Sequence, residues 1–179
     1  MKKNILLGIT ASIAAYKACE LIGRFRKKGY QVKCVMTAQA KNFITPLTLE
    51  TLSGEKAEWD MFSLPEKRDP LHISLADKAD VVLVAPATAD IIAKIAAGIC
   101  DDLLTCSICA SRSPVIFAPA MNDRMFTNKI LQEKIQYLKE KGYHFIDPIK
   151  GRLACGCEGI GHLAEIETIV KETENILNA

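Results

Sequence analysis

Runs of consecutive apolar residues alternate with amphipathic stretches along most of the chain. Four of these runs lack the polar–apolar alternation of a half-exposed strand and predict strands at residues 4–10, 31–37, 81–85 and 114–118. A shorter run at 143–147 predicts a last strand. Strands of this kind, separated by helices, are typical of an α/β protein whose parallel sheet is covered by helices on both faces.

The stretches between the strands show the period of amphipathic helices. Residues 13–28 place Ala14, Ala18 and Leu21 on one helical face, and Gly29 ends that helix. We predict further helices at 88–97, 101–111 and 127–141, a C-terminal helix from near Glu165, and two short helices within 39–54 that break at Thr45-Pro46. Residues 55–71 are predicted to be irregular and residues 148–164 to form a glycine-rich loop.

Composition excludes several function classes. A length of 179 residues suits a single domain, and a net charge of +2 gives no electrostatic reason to expect nucleic acid or an anionic membrane as a partner. No apolar run reaches the roughly 20 residues that span a bilayer. The seven cysteines are odd in number and lie mostly in helix-like or strand-like runs, which favours free thiols in a reducing, cytoplasmic compartment.

Candidate chemistry lies where strands end, because the carboxyl ends of parallel strands share one edge of the sheet. Ser12 follows the first strand and could cap the next helix or help its N–H groups hold a phosphate. The glycine spacing of a dinucleotide fingerprint is absent, so a mononucleotide fits better than NAD. Thr88 and Asp90 follow the third strand, and Asn122 follows the fourth. Each of these could cap a helix or contact a ligand, and the Asn122 amide could hold a carboxylate.

Two further residues could take part in catalysis. His72 lies in an apolar stretch, where it is either structural or an acid–base group facing a cleft. Cys155 lies in the glycine-rich loop, which could close over a ligand and bring the thiol in as a proton donor. As metal ligands, Cys155, Cys157 and His162 would need a fourth partner that the sequence does not offer, so no metal is expected. Cys106 and Cys109 fall within a predicted helix and are interpreted as core residues.

Considered together, these motifs resemble those of the FMN-dependent cysteine decarboxylases. The resemblance runs over nearly the full length in the family's order and spacing. It includes Gly8 to Lys17, Phe43 to Leu47, His72-Ile73, Ala85 to Asp90, Ala96 to Gly98 with Asp102 to Leu104, Pro119 to Met125, and Leu153 to Gly156.

The resemblance implies a Rossmann-like, doubly wound single domain over 1–179 that forms homotrimers, often as dodecamers. It implies FMN as cofactor and a composite active site in which His72 faces Asn122 and Cys155 of a neighbouring chain. The FMN-lining residues that it implies are Thr10, Ala11, Ser12, Ile13, Thr37, Thr88, Ala89, Asp90, Ile91 and Ala120.

The implied reaction belongs to coenzyme A biosynthesis and converts 4′-phosphopantothenoylcysteine to 4′-phosphopantetheine and CO2. The flavin would oxidise the cysteine thiol group to a thioaldehyde, whose C=S can accept the electrons released with CO2. Asn122 would then bind the substrate carboxylate, His72 would assist thiol oxidation or hold the substrate, and Cys155 would donate a proton.

Several positions differ from the pattern of many relatives, namely Thr88, Asp90-Ile91, Phe126 and His162. Three alternatives stay open: a peptidyl-cysteine decarboxylase acting on a lantibiotic precursor, a flavin prenyltransferase, and a non-catalytic flavoprotein that regulates a phosphatase. The His72 and Asn122 pair argues against the prenyltransferase, and the compact length argues against the regulator. Because the chain ends at Ala179, we expect the decarboxylase without a ligase domain.

Overall fold

The central feature is a five-stranded parallel sheet. The computed structural model describes residues 2–62, 70–152 and 158–179. In chain order the strands are β1 Asn4–Ile9, β2 Gln31–Met36, β3 Val81–Ala87, β4 Val115–Pro119 and β5 His144–Phe145. Their order across the sheet is β2-β1-β3-β4-β5, and every pair is parallel. The predicted α/β class with a parallel sheet is therefore confirmed.

Helices cover both faces of this sheet. They are α1 Ala18–Lys27, α2 Pro46–Ser53, α3 Leu71–Lys78, α4 Ala89–Ala96, α5 Leu103–Ala110, α6 Asp123–Phe126, α7 Lys129–Glu140 and α8 Ile166–Leu177. Alternate residues of β1 enter different cores, as the period of two in a strand requires. Ile5 and Leu7 pack with α1, α2 and α8, while Leu6 packs with α3, α4, α5 and α7.

Some predicted helices are divided in the structure. The predicted helix at 13–28 begins as a 3₁₀ helix, Ile13–Lys17, and continues as α1. The first of the two short helices predicted in 39–54 is also a 3₁₀ helix, Ala38–Asn42. The predicted helix at 127–141 is α7, capped by Asn128, and the separate turn α6 precedes it.

One helix was missed, and one prediction of irregular structure was wrong. Helix α3 was missed: Pro70 precedes it without a side-chain cap, and its apolar Ile73 is exposed, so the helical pattern is weak. The region 148–164 contains an antiparallel pair, β6 Ile149–Arg152 and β7 Glu158–His162. Its opposed Gly151 and Gly159 lower the strand propensity of the sequence, because glycine offers no side chain to pack.

Two cysteines predicted to be core residues lie elsewhere. Cys106 and Cys109 are in α5 as predicted, but Cys106 is only partly buried and Cys109 is exposed. The face of α5 that enters the core carries Leu104 and Ile108 instead. In the described parts of the chain, every helix is too short or too polar to cross a bilayer.

Candidate active site

Hydrogen bonds tie together the loops that follow β1 and β3. The Thr10 hydroxyl donates to the Pro86 carbonyl at 2.7 Å and accepts from the Thr88 backbone N–H at 3.1 Å. Thr10 is buried, so both bonds are shielded from water. The Thr88 hydroxyl in turn caps α4 by accepting from the Ile91 N–H at 3.4 Å. These contacts fix the start of α4 relative to the end of β1.

The loop after β4 is attached to the same edge. The Ser12 hydroxyl donates to the Ala120 carbonyl at 3.2 Å and accepts from the Ala14 N–H at 3.3 Å. The Ala120 N–H donates to the Ala87 carbonyl at 3.1 Å. Ser12 therefore caps the 3₁₀ helix, as one interpretation of the sequence predicted, and also joins two loops of the rim.

These loops surround a cavity of about 650 Å³, a size typical of small-molecule and cofactor sites. Small side chains on its wall leave the backbone open to close approach by a ligand. The lining includes Thr10, Ala11, Ser12, Ile13, Thr37, Thr88, Ala89, Asp90, Ala120 and Asn122 among the residues singled out from the sequence. Ile91 does not line it, because its side chain is buried in the core beneath α4.

Thr37 supplies a polar atom that lacks a partner. Its side chain is buried, and Oγ1 has no hydrogen-bond partner among the residues the structure describes. Buried hydroxyls are normally hydrogen-bonded, and one left alone costs free energy. Because Thr37 also lines the cavity, a polar ligand atom would satisfy it.

Asn122 has the capping role, one of the two that the sequence left open, and it also lies on the cavity wall. It is the N-cap of α6, where Oδ1 accepts from the Arg124 N–H at 3.0 Å. Since Oδ1 accepts, the donors of this amide are on Nδ2, and N–H groups are the donors that a carboxylate requires.

His72, another predicted catalytic residue, does not line the cavity that Asn122 lines in the single chain. It is a partly buried residue in the first turn of α3. Cys155 lies outside the described residues, as does Cys157.

Lys94 was missed by the sequence analysis and lines the cavity one turn after Asp90. Its ammonium group lies 3.0 Å from Asp101 and 3.5 Å from Asp90. The hydrogen bond to Asp101 outweighs partial burial and raises the pKa of Lys94, so its ammonium group stays protonated beside the two carboxylates. The i, i+4 spacing of Asp90 and Lys94 was the available signal.

The remaining unpredicted lining residues come from the two 3₁₀ helices, from the segment around Asn122, and from the end of β7 with the residue after it. Met121 and Met125 flank Asn122 in the motif already singled out, and the end of β7 contributes its own set. Those additional residues are Ala14, Gln39, Met121, Met125, Gly161, His162 and Leu163. Across the described residues, His, Cys, Asp and Glu side chains form no group of three that could hold a metal ion.

A parallel sheet with a cofactor-sized cavity at its carboxyl edge defines an α/β ligand-binding protein of the doubly wound class. Within that class, the chain belongs to the flavoprotein family, whose model matches residues 1–178.

Curated relatives cover almost the whole chain. It is 46% identical over 176 residues to the coenzyme A biosynthesis bifunctional protein CoaBC of Borreliella burgdorferi, covering 98% of this chain and 45% of that protein. The chain thus spans less than half of that relative. It is 42% identical over 179 residues to the probable phosphopantothenoylcysteine decarboxylase of Streptococcus mutans, covering 99% of this chain and 100% of that protein.

Solved structures share the fold. A cysteine-to-serine mutant of PPC decarboxylase, complexed with pantothenoylaminoethenethiol, matches with a TM-score of 0.92 and 34% identity over 100% of both chains. The FMN binding protein AtHal3 matches with a TM-score of 0.86 and 35% identity over 98% of this chain and 96% of that one. The Rossmann-like fold class predicted from the sequence is confirmed.

Proposed function

We propose that the chain binds FMN and decarboxylates 4′-phosphopantothenoylcysteine to 4′-phosphopantetheine and CO2, a step of coenzyme A biosynthesis. The observation that carries the proposal is the cavity that brings the Asn122 amide to the predicted flavin-lining loops. The similarity of the whole chain to a probable phosphopantothenoylcysteine decarboxylase supports the same substrate.

The residues of the cavity fit FMN. Ala11, Ala89 and Ala120 leave room for a flat ring against the backbone, and the buried Thr37 hydroxyl needs a polar partner. The Ser12 and Thr88 loops supply the polar end of the site. When bound, FMN supplies the reversible two-electron oxidation that an ordinary cysteine carboxylate needs before it can lose CO2. A matching structural neighbour is named as an FMN binding protein.

Three side chains of this chain handle the substrate in the proposal. The Asn122 amide donates to the substrate carboxylate without adding a charge that would oppose CO2 loss. His72 holds the thiol end or assists its oxidation. Cys155 donates the proton that completes the thiol product. A structural neighbour pairs a cysteine-to-serine change with an ethenethiol ligand, the kind of unsaturated product expected when a proton donor is lost.

The separation of His72 from the cavity supports a homo-oligomer with composite sites. Two large apolar side chains next to the cavity loop are exposed in the single chain: Ile13 by 66% and Tyr16 by 61%. A neighbouring chain would cover them and bring its His72 to Asn122. A cytoplasmic trimer or dodecamer, with residues 1–179 acting as one decarboxylase domain, completes the proposal.

The test is to load the purified protein with FMN and offer it two substrates under the same conditions. One is 4′-phosphopantothenoylcysteine, and the other is a peptide that ends in cysteine. We expect FMN uptake and CO2 release from the phosphorylated substrate only. Preference for the peptide would favour a peptidyl-cysteine decarboxylase. Bound FMN without CO2 from either substrate would favour a non-catalytic flavoprotein.

A further inference from the structure

Strand β7 rests on the turn that carries Asn122. The Met121 N–H donates to the Gly161 carbonyl at 3.0 Å, so the residue before Asn122 is bonded to β7 through backbone atoms alone. Two residues earlier in β7, Gly159 faces Asp123, the residue after Asn122. Residues two apart lie on the same face of a strand, so both glycines face this turn.

Gly161 makes a closer contact with this turn than Gly159 does. A Cβ atom built on it would clash with the Met121 carbonyl oxygen and lie 3.2 Å from the carbonyl carbon. Its φ of 152° is also a conformation that residues with side chains rarely adopt. At Gly159 the built Cβ would meet the Asp123 side chain, 2.7 Å from its Cβ. The Met121 carbonyl belongs to the backbone, so this obstacle cannot rotate away.

We propose that Gly161 is a positioning residue for substrate binding. By letting β7 lie directly on the Met121 peptide, it holds the Asn122 amide where the cavity receives the substrate carboxylate. This inference rests on the proposed function, in which Asn122 binds that carboxylate. Gly161 acts through the neighbouring turn rather than on the reacting atoms.

The test measures how much more tightly the FMN-loaded protein binds a ligand that has the carboxylate than one that lacks it. The probes are phosphopantothenoylserine, which keeps the carboxylate and has a hydroxyl for the thiol, and its decarboxylated counterpart. We expect Gly161→Ala to reduce the ratio of their affinities about tenfold, the size of a lost charge-assisted hydrogen bond. In an Asn122→Ala background, the same change should reduce the ratio less than about twofold, because coupled residues are not additive.

Additive losses in the two backgrounds would overturn the inference, since Gly161 would then act independently of Asn122. The matched control is Gly23→Ala in α1, where a new Cβ meets nothing within 4 Å, and it should leave the ratio unchanged. Wild-type protein that takes up no FMN, or that shows no carboxylate preference, would refute the proposed function instead.

A second measurement covers the case in which Gly161→Ala does not fold. Amide hydrogen exchange in the wild-type, FMN-loaded protein should show the Met121 N–H as strongly protected, because the Gly161 carbonyl holds it. Exchange at the rate of an open loop amide would show that β7 does not hold this turn, and the inference would fail.

Discussion

The Thr88 backbone N–H donates to the Thr10 hydroxyl at 3.1 Å, which joins the loops after two adjacent strands. The same hydroxyl donates to the Pro86 carbonyl, so one buried side chain satisfies two backbone groups. This relationship makes Thr10 a structural support of the cavity rim as well as a member of its wall.

Replacing Thr10 with valine keeps the shape and removes both bonds. The Pro86 carbonyl and the Thr88 N–H would then lose their partner, so we expect a loss of about 1–3 kcal/mol in the free energy of unfolding. FMN affinity should fall as well, because the start of α4 is no longer fixed. Chemical denaturation and flavin fluorescence titration measure the two effects.

Thr173→Val is the matched control for this variant. The Thr173 hydroxyl is also buried and donates to a backbone carbonyl, that of Ile169, but it lies in α8 away from the cavity. FMN affinity should stay at the wild-type value in the control. Equal FMN affinity in Thr10→Val and Thr173→Val would contradict the role assigned to Thr10.

Replacing Thr37 with valine should have opposite effects on the stability of the FMN-free protein and on FMN affinity. Because its buried hydroxyl lacks a partner among the described residues, Thr37→Val should leave the stability of the FMN-free protein unchanged or raise it by up to about 1 kcal/mol. FMN affinity should fall about tenfold if the hydroxyl binds the flavin. Melting temperatures of the FMN-free protein and a flavin titration give the two values, and unchanged affinity would remove Thr37 from the FMN site.

Asn122→Asp separates capping from substrate binding. Aspartate caps helices as well as asparagine does, so α6 and FMN binding should be retained. The new negative charge would oppose the substrate carboxylate, and turnover should fall by a factor of about 100 or more. Steady-state CO2 release measures this loss.

The matched control makes the same change at the next helix. Asn128 caps α7 by accepting from the Ile130 N–H at 3.0 Å, and it does not line the cavity. Asn128→Asp should therefore keep wild-type turnover. Similar rates for the two aspartate variants would refute the carboxylate role of Asn122.

Cys155→Ser should stop the reaction after CO2 loss. Without the thiol proton donor, we expect an oxidised ene-thiol product to accumulate in place of 4′-phosphopantetheine, and mass spectrometry distinguishes the two by two hydrogen atoms. Cys19→Ser, in α1, serves as the control. Normal product from Cys155→Ser would show that another group supplies the proton.

Cys34 gives a pH dependence of stability. Burial raises the pKa of its thiol to about 12, whereas an unfolded thiol titrates near 8.5. The unfolded chain therefore loses this proton first as pH rises, and the Cys34 contribution is complete below about pH 8.5 and declines toward pH 12. The stability difference between wild type and Cys34→Ala should fall by up to about 1.4 kcal/mol per pH unit across that range. A difference independent of pH would contradict the burial.

Much of the fold could be predicted because the central strands are buried on both faces. In β1 and β4, unbroken apolar runs mark the strands to within one residue at each end. The β6–β7 pair escaped prediction because its strands are rich in glycine and gain their structure from contacts such as that of Gly161 with Met121.

The candidate site could likewise be predicted only in part. Ser12, Thr88 and Asn122 could be located from the sequence because each follows a predicted parallel strand, and such strand ends share one edge. Lys94 was missed because its place in the cavity depends on the direction of α4. The separation of His72 from Asn122 depends on tertiary structure, and their proposed meeting depends on a second chain.

The most direct test of the central claim is the ratio of CO2 released to 4′-phosphopantetheine formed, measured under anaerobic conditions. FMN-loaded protein and 4′-phosphopantothenoylcysteine, labelled in the carboxylate, are mixed anaerobically with no added electron acceptor. We predict continued turnover with one CO2 released for each 4′-phosphopantetheine formed, because oxidation and reduction cancel within one cycle. Absence of labelled CO2, or its release only once per bound FMN in the wild-type protein, would contradict the account.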